Sequence, residues 1–162
     1  MQSASSPTGP LLLDAGIFIA ALLKGDSRHA EARPLVEAAR LGTIQACTTP
    51  GVLCEVYGAL TWEKAQPCHP PEQAGMAVRL LVESPSCIRV LDEGLDVVLQ
   101  TLQLAATHGL TARRIHDARH AAAALAAGVH SVYTYDIDDW RLFEAHGLQI
   151  TGPTSTLTRL KR

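Results

Sequence analysis

Apolar residues fall into two patterns that take turns along the chain: short runs or alternations, and longer stretches where they recur every three or four positions. Leu11-Leu12-Leu13 is a short apolar run of buried-strand character that ends at Asp14. Residues 16–24, with Ile17, Ala20, Ala21 and Leu23, predict a short helix closed by Gly25. Residues 29–40, with Ala32, Leu35, Val36 and Ala39, predict a second, closed by Gly42, and Pro34 falls near enough to its start to be tolerated. Residues 43–47 alternate as a strand. Thr48-Thr49-Pro50 then reads as a cap with proline in the first helical position, and a third helix should reach about Lys64. After a proline-rich break at residues 66–71, a helix is expected over 72–83, a strand over 87–91, and a helix capped by Asp92 that runs through Leu104 and Ala105 to His108-Gly109. An alanine-rich helix over 114–127 stops at Gly128. A strand over 131–135 ends at Asp136, a last helix covers 139–146, and a final strand covers 148–151.

Strands alternating with helices long enough to act as crossovers indicate an α/β protein, a three-layer α/β/α sandwich with a mainly parallel sheet. The 162 residues fit one domain, 1–162, with a loose lead-in at 1–10 and a basic C-terminal tail at 152–162 that carries Arg159, Lys161 and Arg162. No internal repeat is visible, and the proline-rich stretch near Cys68 reads as a loop between helices. With 47% hydrophobic and 19% charged residues the chain can bury enough surface to fold, and a net charge of -2 means that any nucleic-acid contact has to be a local patch. Cys47, Cys54, Cys68 and Cys87 show no zinc-type spacing and read as small buried or half-buried residues of a reducing compartment. The first residues lack the positive region of a secretory signal, and no apolar run reaches the roughly 18 residues of a membrane span. A soluble cytoplasmic protein is expected.

Four carboxylates suggest chemistry. Asp14 and Asp136 fall at predicted strand ends, and open parallel sheets place ligands beyond the carboxyl ends of their strands. Each also has a plainer reading, Asp14 as a helix cap and Asp136 as a turn or cap residue, although Asp138 and Asp139 compete for that second role. Glu55 shares a helical face with Val52, Val56 and Ala59, so a charge lies on an apolar stripe unless the helix is rotated and Glu55 reaches solvent. Asp117 repeats the pattern with Ala121, Ala124 and Leu125; its plainer reading is a salt bridge with Arg113, Arg114 or Arg119 near the helix start. If the four converge, mutual repulsion calls for a cation, and oxygen ligands point to Mg²⁺ or Mn²⁺. Phosphodiester hydrolysis is the reaction that such a centre suits best. No G-x-G-x-x-G follows the first strand, which sets a dinucleotide-binding enzyme aside.

The residues around these acids resemble a known family. Leu11 to Gly16, Thr49 to Val56, and Arg114 to Ala122 are similar to the three acid-bearing motifs of PIN-domain ribonucleases, in particular the compact VapC-type toxins of bacterial toxin–antitoxin pairs. Gly128-Val129, then Val132 to Asp136, Trp140, Phe143 and Gly147-Leu148 are similar to the family's Thr-x-Asp strand end and the helix after it. The resemblance spans nearly the whole chain. It implies Mg²⁺ or Mn²⁺ held by Asp14, Glu55, Asp117 and Asp136, with Thr134 supporting the site, and cleavage of single-stranded RNA by metal-activated water. It also implies an antitoxin partner and a homodimer. Ala15-Gly16 departs from the Asn, Ser or Thr that many members carry after the first aspartate.

Arg113, Arg114, His116, Arg119 and His120 gather beside Asp117 as candidate RNA contacts, with Arg28, His29 and the basic tail as weaker ones and a solvated helix face as the plain alternative. Tyr133, Tyr135 and Trp140 read as core or interface ahead of base stacking. Asp138 and Asp139 read as caps or outer acids. Two other functions fit the same residues: an RNA-processing PIN nuclease without an antitoxin, and a non-catalytic RNA-binding domain. A neighbouring small reading frame separates the first from the toxin, and four intact acids argue against the second.

Overall fold

The computed structural model describes residues 9–153, so most of the lead-in and the tail from residue 154 on, with its basic residues, lie outside the described residues. β1 (Leu11–Leu13) is the middle strand of a five-stranded, wholly parallel sheet ordered β3-β2-β1-β4-β5. Its partners are β2 (Ala46–Thr48), β3 (Arg89–Val90), β4 (Ser131–Tyr133) and β5 (Gln149–Thr151).

Alternation along the strands builds two cores, one on each face of the sheet. Leu13 and Ala46 face one side, with Ile17 and Phe18 of α1 (Ala15–Leu22), Val36 of α2 (His29–Leu41), Val52, Val56 and Leu60 of α3 (Pro50–Thr61) and Leu81 of α4 (Pro71–Val82). Leu12, Cys47 and Val132 face the other, with Val97 and Leu104 of α5 (Leu95–Thr107) and Ala121 and Ala124 of α6 (Ile115–Ala126). Leu12 and Leu13 are both fully buried, each worth about 1.5–3 kcal/mol. This is the α/β/α sandwich that the alternating pattern predicts. The small side chains of α6 let it lie close against α5 and the sheet.

Several expected boundaries move. The first helix ends at Leu22, before Gly25, and α3 ends at Thr61, short of Lys64. The strand expected over 43–47 begins only at Ala46 and runs to Thr48, because Thr43 and Ile44 turn back to the Ala38 carbonyl at the end of α2. The strand expected over 87–91 pairs only at Arg89 and Val90, an edge with one neighbour. Asp92 does not cap α5, whose N-cap is Gly94. β4 stops at Tyr133, so Thr134 and Asp136 lie beyond it. The last helix divides into α7 (Ile137–Trp140) and a 3-10 segment, Arg141–His146. Of the cysteines only Cys47 is buried, which pushes its thiol up to about 11; Cys54, Cys68 and Cys87 are exposed, because α3 turns Cys54 outward and loops carry the other two.

Candidate metal centre

β1 and β4 pair with Leu13 opposite Tyr133, so the next residues, Asp14 and Thr134, emerge side by side from the carboxyl edge of the sheet. The Asp14 N–H donates to the Tyr133 carbonyl at 3.2 Å. This is where the strand order reverses, with β2 on one side of β1 and β4 on the other, and such switch points form crevices.

Asp14 is 5% exposed. Oδ1 accepts from the Ala15 N–H at 2.9 Å, while Oδ2 accepts from Thr134 Oγ1 at 2.8 Å and from the Trp140 indole Nε1 at 3.2 Å. It is therefore a helix cap and a strand-end acid at once. Thr134, fully buried, also accepts the Asp136 N–H at 3.0 Å, so one hydroxyl links two of the acids. Gly152 makes room for this turn, since a Cβ there would collide with the Thr134 carbonyl oxygen.

Glu55 sits one turn into α3, half-buried beside the fully buried Val52 and Val56, at the edge of the stripe. Its Oε1 lies 2.9 Å from His120 Nε2, and His120 Nδ1 lies 3.0 Å from Thr49 Oγ1. Thr49 is the N-cap of α3, accepting from the Val52 N–H at 3.1 Å. Ligand atoms of Asp14, Glu55 and His120 all lie within 4.8 Å of one another.

Asp117 precedes His120 by three residues, on the same face of α6. Burial, and then the Asp14 charge, push its carboxyl up to about 7, against the pull of His120 and Arg114. Asp136 is the N-cap of α7 but makes no side-chain cap bond, and neither Asp138 nor Asp139 takes that place. Its carboxyl is raised by burial, Asp14 and Asp139, with Arg28 opposing. Asp117 and Asp136 thus both lie in the field of Asp14. Carboxylates that repel each other, with one imidazole beside them at the carboxyl edge of the sheet, fit a divalent metal ion.

The basic candidates divide. Arg113 and His116 are exposed. Arg114 stands at the rim, donating to the Asp139 carbonyl at 3.0 Å with its carboxylate at 3.8 Å. Arg119 turns the other way: it pairs at 2.5 Å with Glu93, whose side chain is 5% exposed, and packs on Gly51, where a Cβ would come within 3.0 Å of both Arg119 and His120. His120 is 1% exposed and faces Glu55, away from solvent. Arg28 pairs with Asp26 at 2.8 Å and lies 4.4 Å over the Tyr135 ring, and His29 bonds the Ala20 carbonyl. Tyr135 is buried and donates to Glu31 at 2.9 Å, and Tyr133 is half-buried against the core.

Two contributions were not read from the sequence. Trp140 reads as a core or interface residue, and its bond to Asp14 is signalled only by the need of a buried indole N–H for an acceptor. His120 reads as a candidate RNA contact but faces Glu55, and its spacing of three from Asp117, which puts both on one helical face, is the signal for that.

A family model described as PIN domain matches residues 11–144. No curated protein matches the sequence. Among solved structures, the chain is similar to Mycobacterium tuberculosis VapC20, described as a sarcin-ricin loop cleaving toxin, with 21% identity, TM-score 0.63, and coverage of 86% of this chain and 96% of that one. It is also similar to VapBC-1 from nontypeable Haemophilus influenzae (18% identity, TM-score 0.61, 89% and 98% covered). A third is DNA-bound VapBC from Salmonella typhimurium (20% identity, TM-score 0.57, 88% and 97% covered). At these identities the likeness is one of fold.

Proposed function

Because the chain belongs to the PIN-domain family, we propose that it is a metal-dependent endoribonuclease that hydrolyses single-stranded RNA, working in the cytoplasm as the toxin of a toxin–antitoxin pair. The observation that carries this reading is the cluster itself: Glu55 and His120 lie in ligand range of Asp14, and burial, then the Asp14 charge, raises the carboxyl pKa of both Asp117 and Asp136. Charges gathered this way repel unless a cation joins them. Asp14, Glu55, Asp117 and Asp136 would hold Mg²⁺ or Mn²⁺, which when bound activates water, neutralises the phosphate and stabilises the leaving oxygen.

The protein's own groups do the rest. Thr134 and Trp140 orient Asp14 through its Oδ2, leaving the carboxylate fixed by three donors that do not need the substrate. Arg114, whose charge acts on Asp117, and the exposed Arg113 and His116 next to it in sequence would meet the phosphate backbone. An antitoxin partner belongs to the same reading, supported by the VapBC structures among the similar folds, and a homodimer is expected with it. No helix of the described residues is long and apolar enough to cross a membrane.

The test is cleavage of single-stranded RNA with Mg²⁺ or Mn²⁺ by Asp14→Asn and Asp117→Asn, each checked for intact secondary structure. Both should lose cleavage. Full activity in both variants removes the assignment.

A further inference from the structure

We propose that His120 is a positioning residue of the acidic site: accepting the Thr49 hydroxyl at Nδ1, it donates Nε2–H to Glu55 and holds that carboxylate toward Asp14. The inference rests on the reading of Glu55 as a metal ligand. An ionised carboxylate only accepts hydrogen bonds, so at 2.9 Å from Glu55 Oε1 the proton belongs on His120 Nε2. Thr49 Oγ1 already accepts the Val52 N–H, and its own proton is free to go to His120 Nδ1, 3.0 Å away. Both ring nitrogens are then satisfied with a single ring proton, in a side chain that is 1% exposed.

The surrounding sequence fits this purpose. Gly51 lies under the ring, and a Cβ there would come within 3.0 Å of His120 Cε1 and of the Arg119 guanidinium. Arg119 is anchored in turn to the buried Glu93. Thr49, Gly51 and Glu55 thus present cap, floor and acceptor from the first turns of α3 to one imidazole of α6. Glu55 is a flexible side chain, 35% exposed, and without His120 no other hydrogen bond among those described orients its carboxylate. Residues that orient a metal ligand in this way typically change metal affinity by about 10–100-fold.

The experiment uses metal-free protein and Mn²⁺ as the probe. Ring ¹⁵N NMR near about pH 8, above the usual histidine range, should show His120 protonated at Nε2 and bare at Nδ1. A ring protonated at Nδ1 alone overturns the proposal. Calorimetric Mn²⁺ titration of folded variants should show His120→Leu weakened by about 10–100-fold, with His120→Gln recovering most of the loss because its amide can still donate to Glu55. Unchanged affinity in His120→Leu overturns the positioning role, and so does a Gln variant no better than Leu, which would make the imidazole itself the ligand. Wild-type protein that binds no Mn²⁺ removes the metal reading instead, and the tautomer still decides whether His120 holds Glu55.

Discussion

Replacing Asp117 by Asn removes a half-buried carboxylate that the fold tolerates at a cost, and the effect should have a definite pH dependence. The Asp117 carboxyl moves from an ordinary 3.8 to about 7, first through burial and then through the charge of Asp14. A raised carboxyl pKa means that the folded protein holds the proton more tightly than the unfolded chain, so the cost of Asp117 is absent below about pH 4 and grows as pH rises to about 7. Three units correspond to roughly 4 kcal/mol as an upper bound, and relaxation with partial hydration brings the expected relief to about 1–3 kcal/mol. At roughly 2–4 °C per kcal/mol for a domain of this size, metal-free Asp117→Asn should melt a few degrees above wild type near about pH 8.5. The two should converge near about pH 4.5, where Asp117 is protonated in the fold. Melting both proteins in chelator at the two pH values and comparing only their difference removes most of the contribution of other titrating groups. Saturating Mn²⁺ should close or reverse the gap, since wild type gains about 2.7 kcal/mol at a hundredfold excess over Kd and the variant gains less. A variant no more stable than wild type at high pH, or an equal gap at both pH values, would refute the reasoning.

Thr134→Val keeps shape but removes the donor to Asp14 and the acceptor of the Asp136 N–H; a loss of about 1–3 kcal/mol should appear in urea melts, with weaker Mn²⁺ binding by calorimetry. Arg119→Met should strip the buried Glu93 of its ion pair and cost about 3–5 kcal/mol. Adding Glu93→Leu to that variant should recover much of the loss, and a double variant no more stable than Arg119→Met alone would show that the pair is not what holds α6 there.

Local patterns made the elements legible, and the contacts between them set the limit. Leu12 and Leu13 alternate onto opposite cores, and the Thr49-Pro50 start of α3 forms as a cap followed by proline. Glu55 and Asp117 were also readable as acids on apolar faces. What stayed hidden was the company they keep. His120 meets Glu55 across 65 positions because α3 and α6 cross, and no periodicity within either helix records that crossing. The edge strand β3 is shorter than its alternation suggests because only β2 pairs with it. The convergence of Asp14 and Thr134 has the same origin: each ends its strand, but they become neighbours only because β4 pairs with β1, with Leu13 opposite Tyr133. A pairing shifted by one residue would turn the β4 side chains to the opposite face and separate the Thr134 hydroxyl from Asp14. The meeting of Asp14 and Thr134 is therefore a property of sheet order and register acting on locally readable residues, and no single motif records it.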